Sequence, residues 1–450
     1  MGSQLNRRTF NQAALASTTL AALQTTGIRA LGSNDRVRLG FIGVGNRGDQ
    51  LLDAFLLHKD AQIVALCDVY LPYLHAAQKK VGGKAHLHHD FRKLIDQKDI
   101  DAVVVATPDH WHALPFVAAC RAGKDVYVEK PLSLTIAEGQ KMVAVANETQ
   151  RITQVGLHRR SSAPIQEAVR LVQDGVIGKV SVAKCYHLRN EFPQGIGNPP
   201  DCAPPAGLDW DFWLGPAPKV AYNPNRCLYK FRWFSDYSGG QLTNFGTHYL
   251  DVIQWALGHE APKGVFAAGG KYAIEDNRDI PDTLEAVWEY EGGTLVTFSQ
   301  FNANSSPGNR HGWELEFRGT KGTLLMQEGQ FEIVPEKVRA VELPALSPIA
   351  RKENAQQARS TRGAMQEQAK KGRADTADHA RNFLDCVKDR KPTNCPVAVG
   401  HRSTSATLLA KIALRRGRYL AWDAQQERVL NDDEANRLLT YDYRAPWRLV

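Results

Sequence analysis

Two rhythms of hydrophobic and polar positions divide this chain. Between Val37 and Val155, short and nearly continuous apolar runs alternate with stretches of helical periodicity. The runs Val37–Ile42, Gln62–Cys67, Ala102–Ala106, Val126–Val128 and Ile152–Val155 are too short for helices and rich in β-branched residues, which predicts strands buried on both faces. Helices are predicted up to Leu57, over Leu71–Val81, up to Ala122 and over Thr135–Glu148. Strand–helix alternation in this order specifies a doubly wound parallel sheet. Beyond a further helix ending near Gln173, the period becomes two. Alternating segments rich in β-branched and aromatic residues occur at Val180–Tyr186, Gly264–Tyr272, Leu284–Tyr290, Thr294–Phe301, Trp313–Phe317 and Gly322–Met326. They predict a large, mostly antiparallel sheet with one open face. The expected fold is thus α/β followed by α+β.

The parallel strands end in residues that carry chemistry. Val37–Ile42 runs into Gly43-Val44-Gly45-Asn46-Arg47-Gly48 and then a helix. A strand, a GxGxxG turn and a helix start are the parts that let backbone N–H groups and a helix N-terminus receive a pyrophosphate. The second strand ends in Asp68, about twenty residues on, where a carboxylate accepts from ribose hydroxyls. It would also repel a 2′-phosphate, and Val69 and Tyr70 offer no arginine to hold one. A Rossmann domain that prefers NAD to NADP is expected. The third strand leads into Thr107-Pro108-Asp109-His110-Trp111-His112, and the fourth into Glu129-Lys130-Pro131, where a proline stops the strand and a lysine places a cation at its carboxyl end. Cofactor contacts are expected from Gly43, Gly45, Asn46, Arg47, Gly48, Asp68, Thr107, Pro108, Trp111, His112, Glu129 and Lys130.

The second half supplies candidates for a substrate. Residues 190–228, rich in Pro, Gly and Trp, read as an ordered loop on the substrate side. Tyr237-Ser238-Gly239-Gly240 then opens a predicted helix through Leu257, on which Asn244, His248 and Asp251 share one face. The histidine reads either as a packed residue or as a proton acceptor. Candidate substrate contacts are Lys130, His158, Arg160, Trp233, Tyr237, Asn244 and His248, and Trp210 and Trp213 suit either sugar faces or plain packing. The run His86-Leu87-His88-His89-Asp90 lacks the helical spacing and carboxylate cluster of a metal site, so no metal is expected. From Glu336 to about Lys371 the chain is charged and polar and reads as a mobile excursion. Helices are predicted again at Thr376–Val387 and Arg402–Arg415, and Trp422, Tyr443 and Trp447 should dock the tail.

Composition narrows the classes. The chain has 450 residues, 43% hydrophobic and 23% charged, which suits a globular protein of more than one domain. Its net charge of +8 is spread along the chain with no dense basic run, so nucleic acid is not an expected partner. Seven cysteines show neither CxxC pairs nor the density of a disulfide scaffold. Residues 1–33 differ: Asn6-Arg7-Arg8-Thr9-Phe10 precedes a mildly apolar run too short for a stable membrane anchor, which resembles a twin-arginine export signal. That route carries folded proteins, so a periplasmic or other extracytoplasmic protein that takes up its cofactor before export is expected. The organisation reads as 1–33 signal, 34–157 NAD-binding domain, 158–378 substrate-binding and oligomerisation domain, and 379–450 helices and tail packing back on the body.

Three separated pieces, the GxGxxG at Gly43, Gly45 and Gly48, the triplet Glu129-Lys130-Pro131, and Gly239-Gly240 through Asp251, arrive in the order found in one family. Over residues 36–335 the chain resembles the Gfo/Idh/MocA oxidoreductases, named for glucose-fructose oxidoreductase, inositol dehydrogenase and rhizopine catabolism, and from His379 it looks like their exported branch. The resemblance implies that Lys130 bonds the reacting hydroxyl and that His248 joins it in proton transfer. Asn244 departs from the pattern, because an aspartate usually stands there and steadies the imidazolium. An amide leaves His248 a weaker base, shifts more of the work to Lys130, and leaves Asp251 as a replacement charge. On this reading Asn244→Asp should raise activity if His248 is the base. The implied activity is NAD-dependent hydride transfer at a sugar, polyol or glycoside, with a tightly held NAD and a homodimer or homotetramer formed through the open sheet. A glycosidase using NAD transiently, by oxidation at C3 and elimination, is the alternative; Lys130 argues against it, since relatives with that chemistry replace the lysine. A non-catalytic ligand-binding protein is a third.

Overall fold

A computed structural model describes residues 36–306, 312–336 and 367–450. The leader with Arg7 and Arg8, and most of the charged stretch after Glu336, lie outside the described residues.

The N-terminal half forms a parallel sheet of β1 (Val37–Ile42), β2 (Ala61–Cys67), β3 (His86–His88), β4 (Ala102–Val105), β5 (Asp125–Val128) and β6 (Thr153–Val155), in the order β3-β2-β1-β4-β5-β6. The sequence did not announce β3, because three residues are too few to show a period. The strand order reverses between β1 and β4, and a crevice opens there at their carboxyl ends. β4 and β5 are buried along their whole length, as their uninterrupted apolar runs require. The helix Ile136–Thr149 begins with a capping box in which Thr135 and Glu138 satisfy each other's backbone N–H groups.

The second half is an 11-stranded sheet. Its strands are β7 (Val180–Asn190), β8 (Gly264–Gly270), β9 (Thr283–Tyr290), β10 (Thr294–Phe301), β11 (Ala303–Asn304), β12 (Leu315–Gly319), β13 (Gly322–Gln327), β14 (Gln330–Pro335), β15 (Gln368–Lys371), β16 (Leu420–Asp423) and β17 (Arg428–Val429). Among the described residues, only the central pair β7–β10 of this sheet is parallel. The inner face, including Ala183, Trp288, Phe298, Phe317 and Met326, packs in one core with the helices Ala163–Gln173, Gly246–Leu257 and Val397–Arg416. The outer face leaves Phe266 and Leu295 41% and 47% exposed, which is the expected open face. The far end of the charged stretch read as an excursion is edge strand β15, paired with β14.

The C-terminal segment joins the two halves. On helix Thr376–Asp389, Phe383 packs its ring edge-on against Phe55 and Tyr127 of the first domain, 6.3 and 5.8 Å away. Helix Val397–Arg416 reaches three parts at once: Thr404 accepts from the backbone of Leu132 (3.1 Å), Ser403 donates to Asp251 (2.8 Å), and the Ala406 carbonyl accepts from the Trp288 indole (2.9 Å). This helix therefore fixes the loop after β5 against the second domain. The docking aromatics behave as their chemistry suggests: Trp447 stacks on Phe91 and meets Trp111 edge-on, and Tyr443 donates to Glu138 (2.5 Å).

Candidate active site

A single cleft of about 760 Å³ runs from the glycine-rich turn, past the ends of β4 and β5, to the helix break at Phe245. At one end the glycines form a cradle that side chains would fill. A Cβ on Gly48 would lie 2.1 Å from the Gly43 carbonyl, and Gly43, at φ +83°, packs on the backbone of Ala106. No side chain caps the helix that starts at Asn46, so its first N–H groups are free for an anion. Asp68 stands at the end of β2, its Oδ2 accepting from Val44 N (2.8 Å) and its Oδ1 from Tyr70 N (2.9 Å). Burial pushes its carboxyl above the usual carboxylate range. The cradle, the open helix start and a fixed acid suit a dinucleotide with a free ribose diol.

The other end of the cleft holds the reactive groups. Burial lowers the Lys130 amine to about 8, with Glu129 pulling it up and Arg47 pushing it down. Lys130 Nζ donates to Asn244 Oδ1 (2.5 Å), while the Asn244 amide donates to Gln241 Oε1 (2.9 Å). Glu129 is buried beneath it and takes an ion pair from Arg47 (2.8 Å); burial would raise its carboxyl, but Arg47 and Lys130 hold it below the ordinary value. His248 lines the cleft with a buried Nδ1 that has no protein partner, and its ring meets that of His158 edge-on at 5.2 Å. Burial and the cations Lys130 and Arg159 drive its pKa well down, so the ring is neutral.

Most of the residues singled out from the sequence meet in this cleft: Gly43, Gly45, Asn46, Arg47, Asp68, Thr107, Pro108, Trp111, Glu129, Lys130, His158, Trp233, Asn244 and His248 all line it. Others do not. Gly48 acts through close helix–strand packing. His112 is held between the carbonyls of Pro131 (2.7 Å) and Thr107 (2.9 Å) and ties two walls of the cleft together. Arg160 is not among the residues that line the cleft: its Nε donates to both oxygens of Asp251 at 2.9 Å and it lies over Trp255. Asp251, so committed, does not replace the charge missing at Asn244. Tyr237 is fully buried between Trp213 and His110, a packing residue. The helix expected through Asn244 and His248 is interrupted at Phe245, giving Gly240–Asn244 and Gly246–Leu257. Asn244 and His248 both line the cleft, but the Asn244 side chain bonds Lys130 and not His248.

Several lining residues escaped the sequence reading. Asp109 accepts from Ser238 Oγ (2.6 Å), and burial raises its carboxyl. Both lay inside stretches already noticed, but a contact between positions so far apart has no local signal. Arg232 sits just past the 190–228 loop in the short turn Lys230–Trp233, and Glu328, at the tip of the β13–β14 hairpin, faces His158 (3.3 Å).

Fold and site together define a two-domain, NAD-binding oxidoreductase scaffold. Residues 37–157 match the oxidoreductase family with an NAD-binding Rossmann fold, 161–268 and 356–449 match its C-terminal alpha/beta domain, and 219–325 match the GFO/IDH/MocA C-terminal domain. The chain belongs to the Gfo/Idh/MocA oxidoreductase family. A glycosyl hydrolase family 109 protein of Saccharopolyspora erythraea is 34% identical over 160 residues, which is 34% of this chain and 35% of that protein. One from Solibacter usitatus is 39% identical over 128 residues, 26% and 29% of the two chains. The matches thus span about a third of these curated relatives. Among solved structures, the WlbA dehydrogenase of Bordetella pertussis, in complex with NADH and UDP-GlcNAcA, has a TM-score of 0.63 at 18% identity over 86% of this chain and 99% of that one. Levoglucosan dehydrogenase, in complex with NADH and levoglucosan, gives 0.62 at 18% over the same shares. Both likenesses concern the fold.

Proposed function

We propose that this protein transfers hydride between a carbinol carbon of a sugar, polyol or glycoside and NAD, with Lys130 Nζ as the proton acceptor. One observation carries this reading: Lys130 lies in the same cleft as the glycine cradle, and its amine, lowered to about 8, is anchored by a neutral amide. NAD, when bound, supplies the acceptor for the hydride that leaves the carbon. The hydroxyl proton must leave as well, and a neutral amine at Nζ takes it more readily than the strongly depressed imidazole of His248. His248 then serves as a neutral hydrogen-bonding group that orients the substrate through its free Nδ1. The Asp68 carboxylate, with no arginine among Val69 and Tyr70, favours NAD over NADP.

The test is to identify any nucleotide in the purified protein and to follow its reduction as sugars and polyols are added. A protein that neither carries nor takes up NAD would sink the reading. A second reading, a glycosidase that cycles its NAD, is supported by the names of the curated relatives. It predicts sugar release from a chromogenic glycoside with no net NADH. Export by the twin-arginine route, a tightly held cofactor and assembly through the outer face of the large sheet belong to the same proposal. Replacing Arg7 and Arg8 by Lys and fractionating cells tests the first of these, and sedimentation of the purified protein tests the last.

A further inference from the structure

At the substrate end of the cleft the acids are already engaged, while one cation is not paired among the described residues. Of the acids that line it, Glu129 is paired with Arg47 (2.8 Å), Glu191 is bound to Arg278 (2.9 Å), Glu328 faces His158 (3.3 Å), and Asp109 is bonded to Ser238 (2.6 Å). Among the cations, Lys130 is anchored to Asn244, and Lys230 donates to the Ile196 carbonyl (3.0 Å) and Asn225 Oδ1 (2.9 Å). Arg232 is different. It lies half-buried in the short turn Lys230–Trp233, its guanidinium carbon over the rings of Tyr229 (4.3 Å) and Phe231 (5.8 Å), and among the described residues it has no ion-pair partner. It is close enough to Lys130 and Asp109 to act on the charge of both. Arg189, also without an ion pair among the described residues, stands where this cleft meets a neighbouring cavity of about 490 Å³.

A guanidinium fixed in position on aromatic faces is a preorganised fork for a carboxylate or phosphate. Leaving such a group partly desolvated and unpaired is unfavourable, and a ligand anion removes that penalty. We infer that the substrate is an anionic sugar, carrying a carboxylate or a phosphate ester, whose anion is held by Arg232 beside the reacting carbon, with Arg189 drawing it in at the mouth. Resting as it does on the oxidoreductase reading, this makes Arg232 the residue that sets specificity. Lys130 acts on the carbinol and Arg232 on the charged substituent, so the two fix which carbon is presented for oxidation.

The experiment compares a hexose, the corresponding hexuronate and the hexose 6-phosphate, with NAD reduction and direct binding to the NADH-loaded protein as two readouts. An anionic sugar should exceed the neutral hexose in kcat/KM by roughly 30-fold or more, and the preference should weaken as salt is raised. The better of the two anionic compounds identifies carboxylate or phosphate as the source. Arg232→Gln should bring the anionic-to-neutral ratio to within about threefold of unity, with Arg232→Lys restoring part of it. A neutral hexose that is preferred, or a ratio unmoved by Arg232→Gln, overturns the inference and leaves the oxidoreductase reading standing. If no sugar reduces NAD, that reading fails, and the binding arm still decides: salt-sensitive binding of an anionic sugar lost in Arg232→Gln upholds the anion site, and its absence refutes it.

Discussion

Lys130 Nζ lies 2.5 Å from Asn244 Oδ1, so the amide that stands in place of an expected aspartate serves the lysine and not His248. This inverts the effect expected of Asn244→Asp. A carboxylate at that distance would stabilise the ammonium and raise the Lys130 pKa from about 8. The neutral amine is the form that accepts a proton, so sugar oxidation should rise with pH towards a plateau above about 8. In Asn244→Asp that rise should move up by about one to two pH units, and the rate at neutral pH should fall about tenfold or more. A pH profile of kcat/KM checks it; a faster variant at pH 7 would return the base role to His248.

The amine's ability to lose its proton separates two roles for Lys130. Arginine keeps the charge but does not deprotonate in the working range. If Lys130 is the base, Lys130→Arg and Lys130→Met should both lose about a thousandfold in kcat while still binding NADH. Fluorescence titration of NADH supplies the control. Substantial turnover by Lys130→Arg would mean that charge alone is what the site needs.

Glu129 gives the opposite perturbation. It raises the Lys130 pKa, so Glu129→Gln should lower it further and shift the same rise towards acid. The substitution also leaves Arg47 without its carboxylate, at a cost of about 2 kcal/mol in stability, read by denaturant unfolding. Shifts of opposite sign in Glu129→Gln and Asn244→Asp would place the titrating group in the field of both positions, and the Lys130→Arg variant then separates Lys130 from His248.

The N-terminal half was legible because buried parallel strands write themselves as apolar runs, and their ends place Gly43, Asp68, Thr107 and Lys130 around one crevice by topology alone. β10 matched its expected bounds, since a half-buried strand fixes its own alternation. What failed was anything that depended on a rotamer or a distant partner. Helical spacing put Asn244, His248 and Asp251 on one face, yet the Asn244 amide bonds Lys130 and not His248, and Asp251 was already claimed by Arg160. Tyr237 read as a candidate substrate contact, yet it is fully buried, because a tyrosine carries the same sequence signal in a core and in a cleft. β15 was hidden in a polar stretch, since an edge strand with four exposed residues carries no period.

Two substitutions test the cofactor half. Gly48→Ala sets a Cβ 2.1 Å from the Gly43 carbonyl, so the turn must open and NADH affinity should fall by about tenfold or more, with the fold retained by circular dichroism. Asp68→Asn removes the charge that opposes a 2′-phosphate, and its single amide oxygen keeps only one of the two bonds that the separate carboxylate oxygens accept from the backbone N–H groups of Val44 and Tyr70. It should narrow the preference for NADH over NADPH by about tenfold, and an unchanged preference would place the discrimination elsewhere.

Helix Thr376–Asp389 should make the whole molecule acid-sensitive through one carboxylate. Asp60 accepts from Arg381 (2.7 Å) and Lys388 (2.5 Å), and these bonds hold its pKa far below the usual carboxylate range. A group whose folded pKa is depressed contributes stability that is present above its unfolded pKa of about 4 and is lost as pH falls below it. Asp60→Asn should therefore destabilise the protein at neutral pH and flatten its stability profile below about pH 4. Phe383→Ala, which removes the ring packed on Phe55 and Tyr127, should cost about 3 to 5 kcal/mol at every pH. Thermal unfolding of the two variants across pH distinguishes the ionic tie from the apolar one: a pH-independent loss in Asp60→Asn would show that the ion pairs do not anchor this helix.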